Sequence, residues 1–280
     1  MRMSRTALNV LALLILSSCK LVSSFSHPQL YHNLLGHTET MMAATPLSVP
    51  LVEEILHSYD EDLELVPQNI SEPGYHPVLF MFNNMTNLKT VPVDILFGLC
   101  DQYYEYIVII PYIKSSKSDK VRSVSTILYL NNAVAVVGGN MFYGMPKKFE
   151  DVEMSEFTFK VMDHKTSQEL INMVYKKGKE SFTSDYMENY DTYNLIVSIF
   201  QQEGIQRYRD TYLCYHFVFD WNNAVFSQAS YQFETSDDAI PGVESIHVES
   251  NSFMVDANSV YGSFYVDANW LVTQPLQTCE

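Results

Sequence analysis

The chain has 280 residues, 47% hydrophobic and 13% aromatic, which is enough to bury a large core and too apolar for a disordered protein. Removing an N-terminal export signal takes three of the 17 basic residues (Arg2, Arg5, Lys20) and none of the 33 acids, leaving a net charge of about −19 before histidine is counted. Such a charge excludes nucleic acid and anionic membranes as natural partners.

The first twenty-six residues form the predicted signal. Met1 to Arg5 supplies positive charge, Ala7 to Leu16 an apolar stretch too short to remain in a bilayer, and Ser17 to Ser26 small residues suited to cleavage. A secreted or extracellular protein with no membrane segment after processing is the expectation. A second reading takes Leu16-Ser17-Ser18-Cys19 as the end of a bacterial lipoprotein signal, which would leave the protein anchored through Cys19. Asn69-Ile70-Ser71 and Asn84-Met85-Thr86 fit the N-glycosylation pattern, so Asn69 and Asn84 are candidate acceptors.

Residues 27–46 read as a polar, loosely ordered segment, and 47–280 as a single domain. Ser48 to Tyr59 reads as a short helix, with Ser48 as its cap and Pro50 in its first turn. Leu51, Val52, Ile55 and Leu56 lie at helical spacing, and Glu53 and Glu54 sit near its positive end. From Val78 onward, short apolar runs alternate with turn residues: Val78–Phe82, Val93–Leu99, Tyr104–Ile113, Val121–Leu130 and Ala133–Val137. Ser115 to Asp119 reads as the turn of a long hairpin.

The second half continues with Glu153–Met162, Glu169–Tyr175, Tyr212–Phe219, Val225–Phe233, Ser245–Glu249 and Val260–Val266. Tyr193–Phe200 is also assigned to strand, for its aromatic and β-branched content, although its apolar residues recur at helical spacing. The prediction is a mainly β protein, a single antiparallel closed or nearly closed barrel with a few short helices. Cys100, Cys214 and Cys279 remain past the signal, an odd number that allows at most one internal bridge. The simplest reading makes Cys100 and Cys214 free core thiols, and without a Cys-x-x-Cys or clustered histidines no metal is called for.

Residues 131–149 stand apart. Asn131-Asn132-Ala133-Val134-Ala135-Val136-Val137-Gly138-Gly139-Asn140-Met141-Phe142-Tyr143-Gly144-Met145-Pro146-Lys147-Lys148-Phe149 sets two cations among apolar and aromatic residues in a chain short of positive charge. An ordinary lysine, with a pKa near 10.4, is neutral in only about one molecule in 2,500 at pH 7. Apolar surroundings make such an amine a better nucleophile, able to condense with a ketone and turn it into an electron sink without metal or organic cofactor. The plain alternative is a solvated pair on a Pro turn. On a regular strand Lys147 and Lys148 point to opposite faces. Gly138-Gly139 reads as a bulge or barrel corner and His216 as a core histidine, while Trp221 and Trp270 read as core and barrel lining.

The run from Asn132 to Gly139, followed by Tyr143-Gly144-Met145-Pro146-Lys147-Lys148, resembles the active-site segment of the acetoacetate decarboxylase family. The resemblance implies that Lys147 is the Schiff-base lysine and Lys148 its supporting cation. Tyr103-Tyr104-Glu105-Tyr106 is similar to the family's Tyr-x-Glu segment, which makes Glu105 the active-site carboxylate. Asp238 to Val243 with Ser245 to Ser250 is similar to the family's closing Leu-Pro segment. The implied function is a cofactor-independent lyase acting on a β-keto acid or related carbonyl compound, in a domain compatible with a homo-oligomer. Two departures stand out: no arginine lies between Arg5 and Arg122, where the family grips its substrate carboxylate, and Val78–Phe82 lacks the family's second glutamate, with Asp94 a distant substitute. A secreted, non-catalytic barrel that binds small hydrophobic carbonyl ligands or a protein partner is the reading from another class.

Overall fold

The computed structural model describes residues 33–70, 72–91, 101–143, 145–208, 211–240, 243–254 and 259–279. The predicted signal with Cys19, the Val93–Leu99 run with Asp94, and Cys100 lie outside them. In chain order the elements are β1 (Asn33–Ser48), α1 (Val49–Tyr59), β2 (Leu63–Leu65), β3 (Tyr75–Val91), β4 (Gln102–Ser115), β5 (Ser118–Leu130), α2 (Ala133–Tyr143), β6 (Lys147–Phe149), β7 (Asp151–Met154), β8 (Thr158–Met162), β9 (Glu169–Phe182), α3 (Ser184–Met187), α4 (Asp191–Gln201), β10 (Gly204–Tyr208), β11 (Thr211–Phe219), β12 (Val225–Thr235), β13 (His247–Ser250) and β14 (Gly262–Thr278).

All the strands belong to one sheet, with neighbours in the order β1, β3, β4, β5, β10, β11, β14, β12, β9, β8, β7. β1 also pairs with β14, so the hydrogen bonding returns on itself in a ring of seven strands. The mainly β expectation holds, and the sheet is mixed: β10 and β6 both pair parallel to β5 along one of its edges. The predicted hairpin is β4 and β5, turning at Ser116 and Lys117. No helix among the described residues is long and apolar enough to cross a membrane.

Both faces of the central strands are covered, which is why Ile107 to Ile110 reads as an unbroken apolar run. Tyr106, Val108 and Ile110 face one core with Phe80, Phe82 and Phe233. Tyr103, Ile107 and Ile109 face a second core with Phe226, Phe264 and Trp270. Glu105 shares the face of Tyr103 and Ile107, by the alternation of side chains along a strand.

Several sequence expectations are corrected. Asn33 to Pro46, expected to be loose, forms most of β1, which pairs on one edge with β3 and on the other with β14. Ala133–Val137 is the first part of helix α2, because the Asn132 side chain accepts the Ala135 N–H at 3.0 Å and caps it. An apolar run of this length carries no periodicity that tells strand from helix. Tyr193–Phe200 lies in α4, where the helical spacing of the buried Leu195, Ile196, Ile199 and Phe200 outweighs the β propensity of the segment. Helix α1 matches its prediction, but Ser48 makes no side-chain cap bond and its first turn holds no acid.

Cys214 is no free thiol. It is bridged to Cys279, with Cα atoms 5.4 Å apart and a separation of 65 positions in sequence. Closing a loop of that size restricts the unfolded chain, so reduction or a Cys214→Ser, Cys279→Ser double substitution should cost about 4 kcal/mol, read as a fall in the urea midpoint. His216 is exposed and 3.9 Å from Glu203, because Tyr215 and Phe217 take the inward positions on either side of it. Asn84 lies inside β3 with its amide nitrogen bonded to Glu39, an unsuitable place for a glycan, whereas Asn69 is exposed in a bend.

One buried histidine makes stability depend on pH. His76 is 3% exposed and donates through Nε2 to the Pro111 carbonyl at 2.8 Å. Burial outweighs that carbonyl's effect and holds its pKa below the ordinary 6.5. The unfolded chain then binds the proton first, so stability is complete above about pH 6.5 and falls as pH drops toward the folded value. Urea midpoints at pH 7.5 and 5.5 should show this loss in the wild type and a smaller one in His76→Gln.

Candidate active site

Three adjacent strands bring the predicted lysine and glutamate together. Glu105 of β4 sits opposite Leu130 of β5, and Lys147 of β6 sits opposite Leu128 of the same strand. Leu128 and Leu130 are two apart and share a face, so both charged side chains rise on one side of the sheet and meet across β5. Lys147 Nζ donates to Glu105 Oε1 at 2.8 Å, and the two side chains are 9% and 3% exposed.

Helix α2 prepares this meeting. A Cβ added at Gly139 would stand 2.4 Å from Lys147 Cδ and 2.7 Å from Cε, so the absence of a side chain there opens the channel for the lysine. The expected bulge or corner at Gly138-Gly139 is therefore a helical segment in which Gly139 permits close approach. The next residue, Asn140, brackets the lysine's backbone: Oδ1 accepts the Lys147 N–H at 2.9 Å and Nδ2 donates to the Lys147 carbonyl at 3.0 Å. This clamp fixes where the side chain leaves the chain.

Lys148 is exposed and points the other way, its Nζ 5.5 Å from the centre of the Tyr129 ring. Tyr129 belongs to the opposite core, so the supporting cation implied by the resemblance does not face Lys147. Nor do the acids that follow the lysines. Glu150 accepts the His164 N–H, Asp151 pairs with the His164 ring, and Glu153 is exposed.

Lys147 and Glu105 border a cavity of about 50 Å³, several times what one water needs. Its walls are mostly apolar, with Met81, Met85, Ile199, Phe200, Phe217 and Trp270 prominent. Ser125, Tyr215 and Gln206 form a hydrogen-bonded group at one side, with Ser125 Oγ 3.2 Å from the Tyr215 hydroxyl. Among the described lining residues Lys147 and Glu105 are the only charged ones. The first arginine after the signal, Arg122, is turned to the opposite face, where its Nε lies 2.8 Å from Glu203. Met81 and Met85 occupy the β3 wall, the strand in which the expected second acid is missing.

Of the residues singled out from sequence, Lys147, Glu105 and Trp270 are brought into one cavity, and Lys148 is not. Trp221 packs outside it, against Phe219 at 4.8 Å and Phe200 at 5.8 Å between ring centres. The segment from Asp238 to Val243 contributes Ala239, Ile240 and Val243 to the other core. Asn140, Gln202 and Tyr215 give no signal in sequence, since nothing local marks an amide or a phenol that acts at a distance.

No protein-family profile matches the chain, and no curated protein matches it by sequence. Solved structures do. An acetoacetate decarboxylase from Legionella pneumophila subsp. pneumophila str. Philadelphia 1 superposes with a TM-score of 0.53 at 12% identity, covering 92% of this chain and 93% of that one. The enduracididine biosynthesis enzyme MppR, complexed with pyruvate, gives 0.51 at 10% identity over 91% and 92% of the two chains. An acetoacetate decarboxylase-like enzyme from Sphingomonas wittichii RW1 gives 0.51 at 8% identity over 89% and 93%. Likeness along nearly the whole length of each, in a ring-like mixed sheet, shows that the chain has an acetoacetate decarboxylase-like fold.

Proposed function

We propose that this protein is a cofactor-independent enzyme that condenses Lys147 with a small carbonyl compound, a lyase of the acetoacetate decarboxylase type. The observation that carries the reading is the position of one primary amine, 9% exposed, at the wall of an apolar cavity with the Glu105 carboxylate in contact. In the reaction Glu105 accepts the ammonium proton, and the freed nitrogen attacks the carbonyl carbon. Loss of water from the carbinolamine gives an iminium. With a β-keto acid, the bond to the carboxylate then breaks, its electron pair enters the iminium, and CO2 leaves. Protonation of the resulting enamine at carbon and hydrolysis by water return the ketone and the amine. Apolar walls favour this step because the negative charge of the carboxylate is dispersed as CO2 departs.

Lys148 has no part in this scheme, so activation of Lys147 falls to its surroundings and to Glu105. The leader sequence and the Cys214–Cys279 bridge support export to an oxidising compartment.

A second reading, a secreted binder of carbonyl ligands without turnover, is favoured by the absence of any cation besides Lys147 among the described lining residues. Product analysis with a panel of ketones and β-keto acids separates the two. The enzyme is expected to consume at least one of them, releasing CO2 from a keto acid, and Lys147→Ala to abolish consumption. Ligand affinity that survives in Lys147→Ala, with no turnover in either protein, would decide for the binder.

A further inference from the structure

The cavity has a second polar end, made of hydroxyl groups. On β4, Ile107 and Ile109 both face the second core, and they stand opposite Leu128 and Ser125 of β5. Leu128 and Ser125 are three positions apart and would face opposite sides of a regular strand. The register shifts between them, with Thr126 as the extra residue of a bulge, and the shift turns Ser125 onto the face of Lys147 and Glu105. Ser125 lines the cavity and is 6% exposed. Ser123, two positions away on the same face, also lines it. Its Oγ makes no hydrogen bond among the described residues, yet it is not one of the fully enclosed unpaired atoms, so it keeps accessible surface.

A chain of hydrogen bonds decides where the hydroxyl hydrogens go. The Arg207 backbone N–H, which can only donate, donates to the Tyr59 hydroxyl at 2.9 Å, so Tyr59 donates its own hydrogen to Gln206 Oε1 at 2.8 Å. The Gln206 amide is thereby oriented, and its Nε2 donates to the Ser125 carbonyl and to the Tyr215 hydroxyl, both at 3.3 Å. Tyr215 accepts from Gln206 and passes its hydrogen to Ser125 Oγ, 3.2 Å away. Two hydroxyls hold two hydrogens, and only one can lie between their oxygens. The hydrogen left over is that of Ser125, and it has no acceptor among the described residues.

Along the sheet, Lys147 stands between the two polar ends. Glu105 is opposite Leu130, Lys147 is opposite Leu128, and the Ser125 row follows on the far side. Two residues of β4 separate the lysine row from the serine row, a distance of about 7 Å. A β-keto acid condensed at Lys147 sets its carboxylate oxygens about 4–5 Å from the nitrogen, and a hydrogen bond adds about 2.8 Å, so the group spans that gap. Pointed the other way, the carboxylate would meet the like charge of Glu105. We infer that the Ser125 hydroxyl, held by Tyr215 and Gln206 and accompanied by Ser123, is the subsite for the substrate carboxylate and sets the direction in which the keto acid lies. An uncharged donor suits this task, because a cation would hold the carboxylate more tightly than the departing CO2 and raise the barrier to its loss. The inference rests on the reading of Lys147 as the condensing amine and adds the group that orients its substrate.

Two methyl ketones of matched shape test it. In 2-oxopropane-1-sulfonate an anion that cannot leave as CO2 stands where the carboxylate of a β-keto acid would, and in 4,4-dimethylpentan-2-one an uncharged tert-butyl group takes its place. Affinities of both are measured by calorimetry on the wild type and on Ser125→Ala. Loss of a hydrogen bond to an anion should weaken sulfonate binding about tenfold or more in the variant, while the neutral ketone, which reports that the cavity is intact, stays within about twofold. Unchanged sulfonate affinity, an equal loss for both probes, or no sulfonate binding by the wild type would overturn the subsite. Borohydride reduction of the same mixtures reads the Schiff base separately. A selective loss of sulfonate affinity without an adduct at Lys147 would retain the subsite and reject the condensation, and adducts at Lys147 that Ser125→Ala leaves equally strong for both probes would do the reverse.

Discussion

Urea denaturation of a Glu105→Leu variant is expected to show a loss of roughly 3–5 kcal/mol, one of the largest single-residue effects in the protein. The reason is the position of its partner. Lys147 would keep a side chain 9% exposed, in an apolar cavity, with the carboxylate that contacts it removed. Lys147→Met leaves Glu105, 3% exposed, in the same difficulty and should lose a comparable amount. Substituting both together removes the two charges at once and fills the space with apolar atoms, so the double variant should lose less than the sum of the single ones. A coupling of about 2–3 kcal/mol is the expected size for groups in direct contact. Additive losses would mean that the two side chains do not interact in solution.

The second large effect comes from the smallest change. Gly139→Ala lies inside α2, where alanine is worth up to about 1 kcal/mol over glycine, and propensity alone predicts a more stable protein. The new methyl would stand 2.4 Å from Lys147 Cδ, however, and the stem of the lysine must move. Asn140 holds the lysine backbone by both its N–H and its carbonyl, so the displacement passes to the side chain and its amine. A shift of about 1 Å in a reacting group is enough to cost about 100-fold in rate. Gly139→Ala should therefore slow Schiff-base formation by about two orders of magnitude while leaving the urea midpoint close to that of the wild type. Gly138→Ala is the control: no heavy atom lies within 4 Å of its added Cβ, and its rate should be unchanged. Equal rates for both variants would show that Gly139 does not shape the site.

Much of this site is legible in the sequence because its two charged residues sit in conspicuous company. Lys147 follows an apolar block in a chain poor in cations, and Glu105 lies among tyrosines. Strand alternation alone separates Lys148 from Lys147, and the structure has them on opposite faces. Sequence misleads in segments where two signals compete. In α4 the helical spacing of Leu195, Ile196, Ile199 and Phe200 is visible, but aromatic and β-branched residues argue for strand, and packing against the second core settles it as helix. In α2 the run of Ala and Val has no polar face to give a period, and the deciding feature is one capping amide, Asn132.

Other features depend on partners far apart in the chain. Gly139 shows in sequence as a glycine, but its reason is a lysine eight residues later that folds back beside it. The bridge between Cys214 and Cys279 follows from β11 lying beside β14, where Cys214 stands opposite Gln277. Gln202 takes its orientation from a bulge in β4 ninety residues earlier. None of these can be read from a local window.

The most direct test of the amine's role is to incubate the wild-type protein with a panel of ketones and β-keto acids, reduce with borohydride, and map the added mass by peptide. An adduct confined to the peptide carrying Lys147, and lost in Lys147→Met, is the expected result. An adduct spread over exposed lysines such as Lys148, or none on Lys147 with any carbonyl compound, would contradict the account.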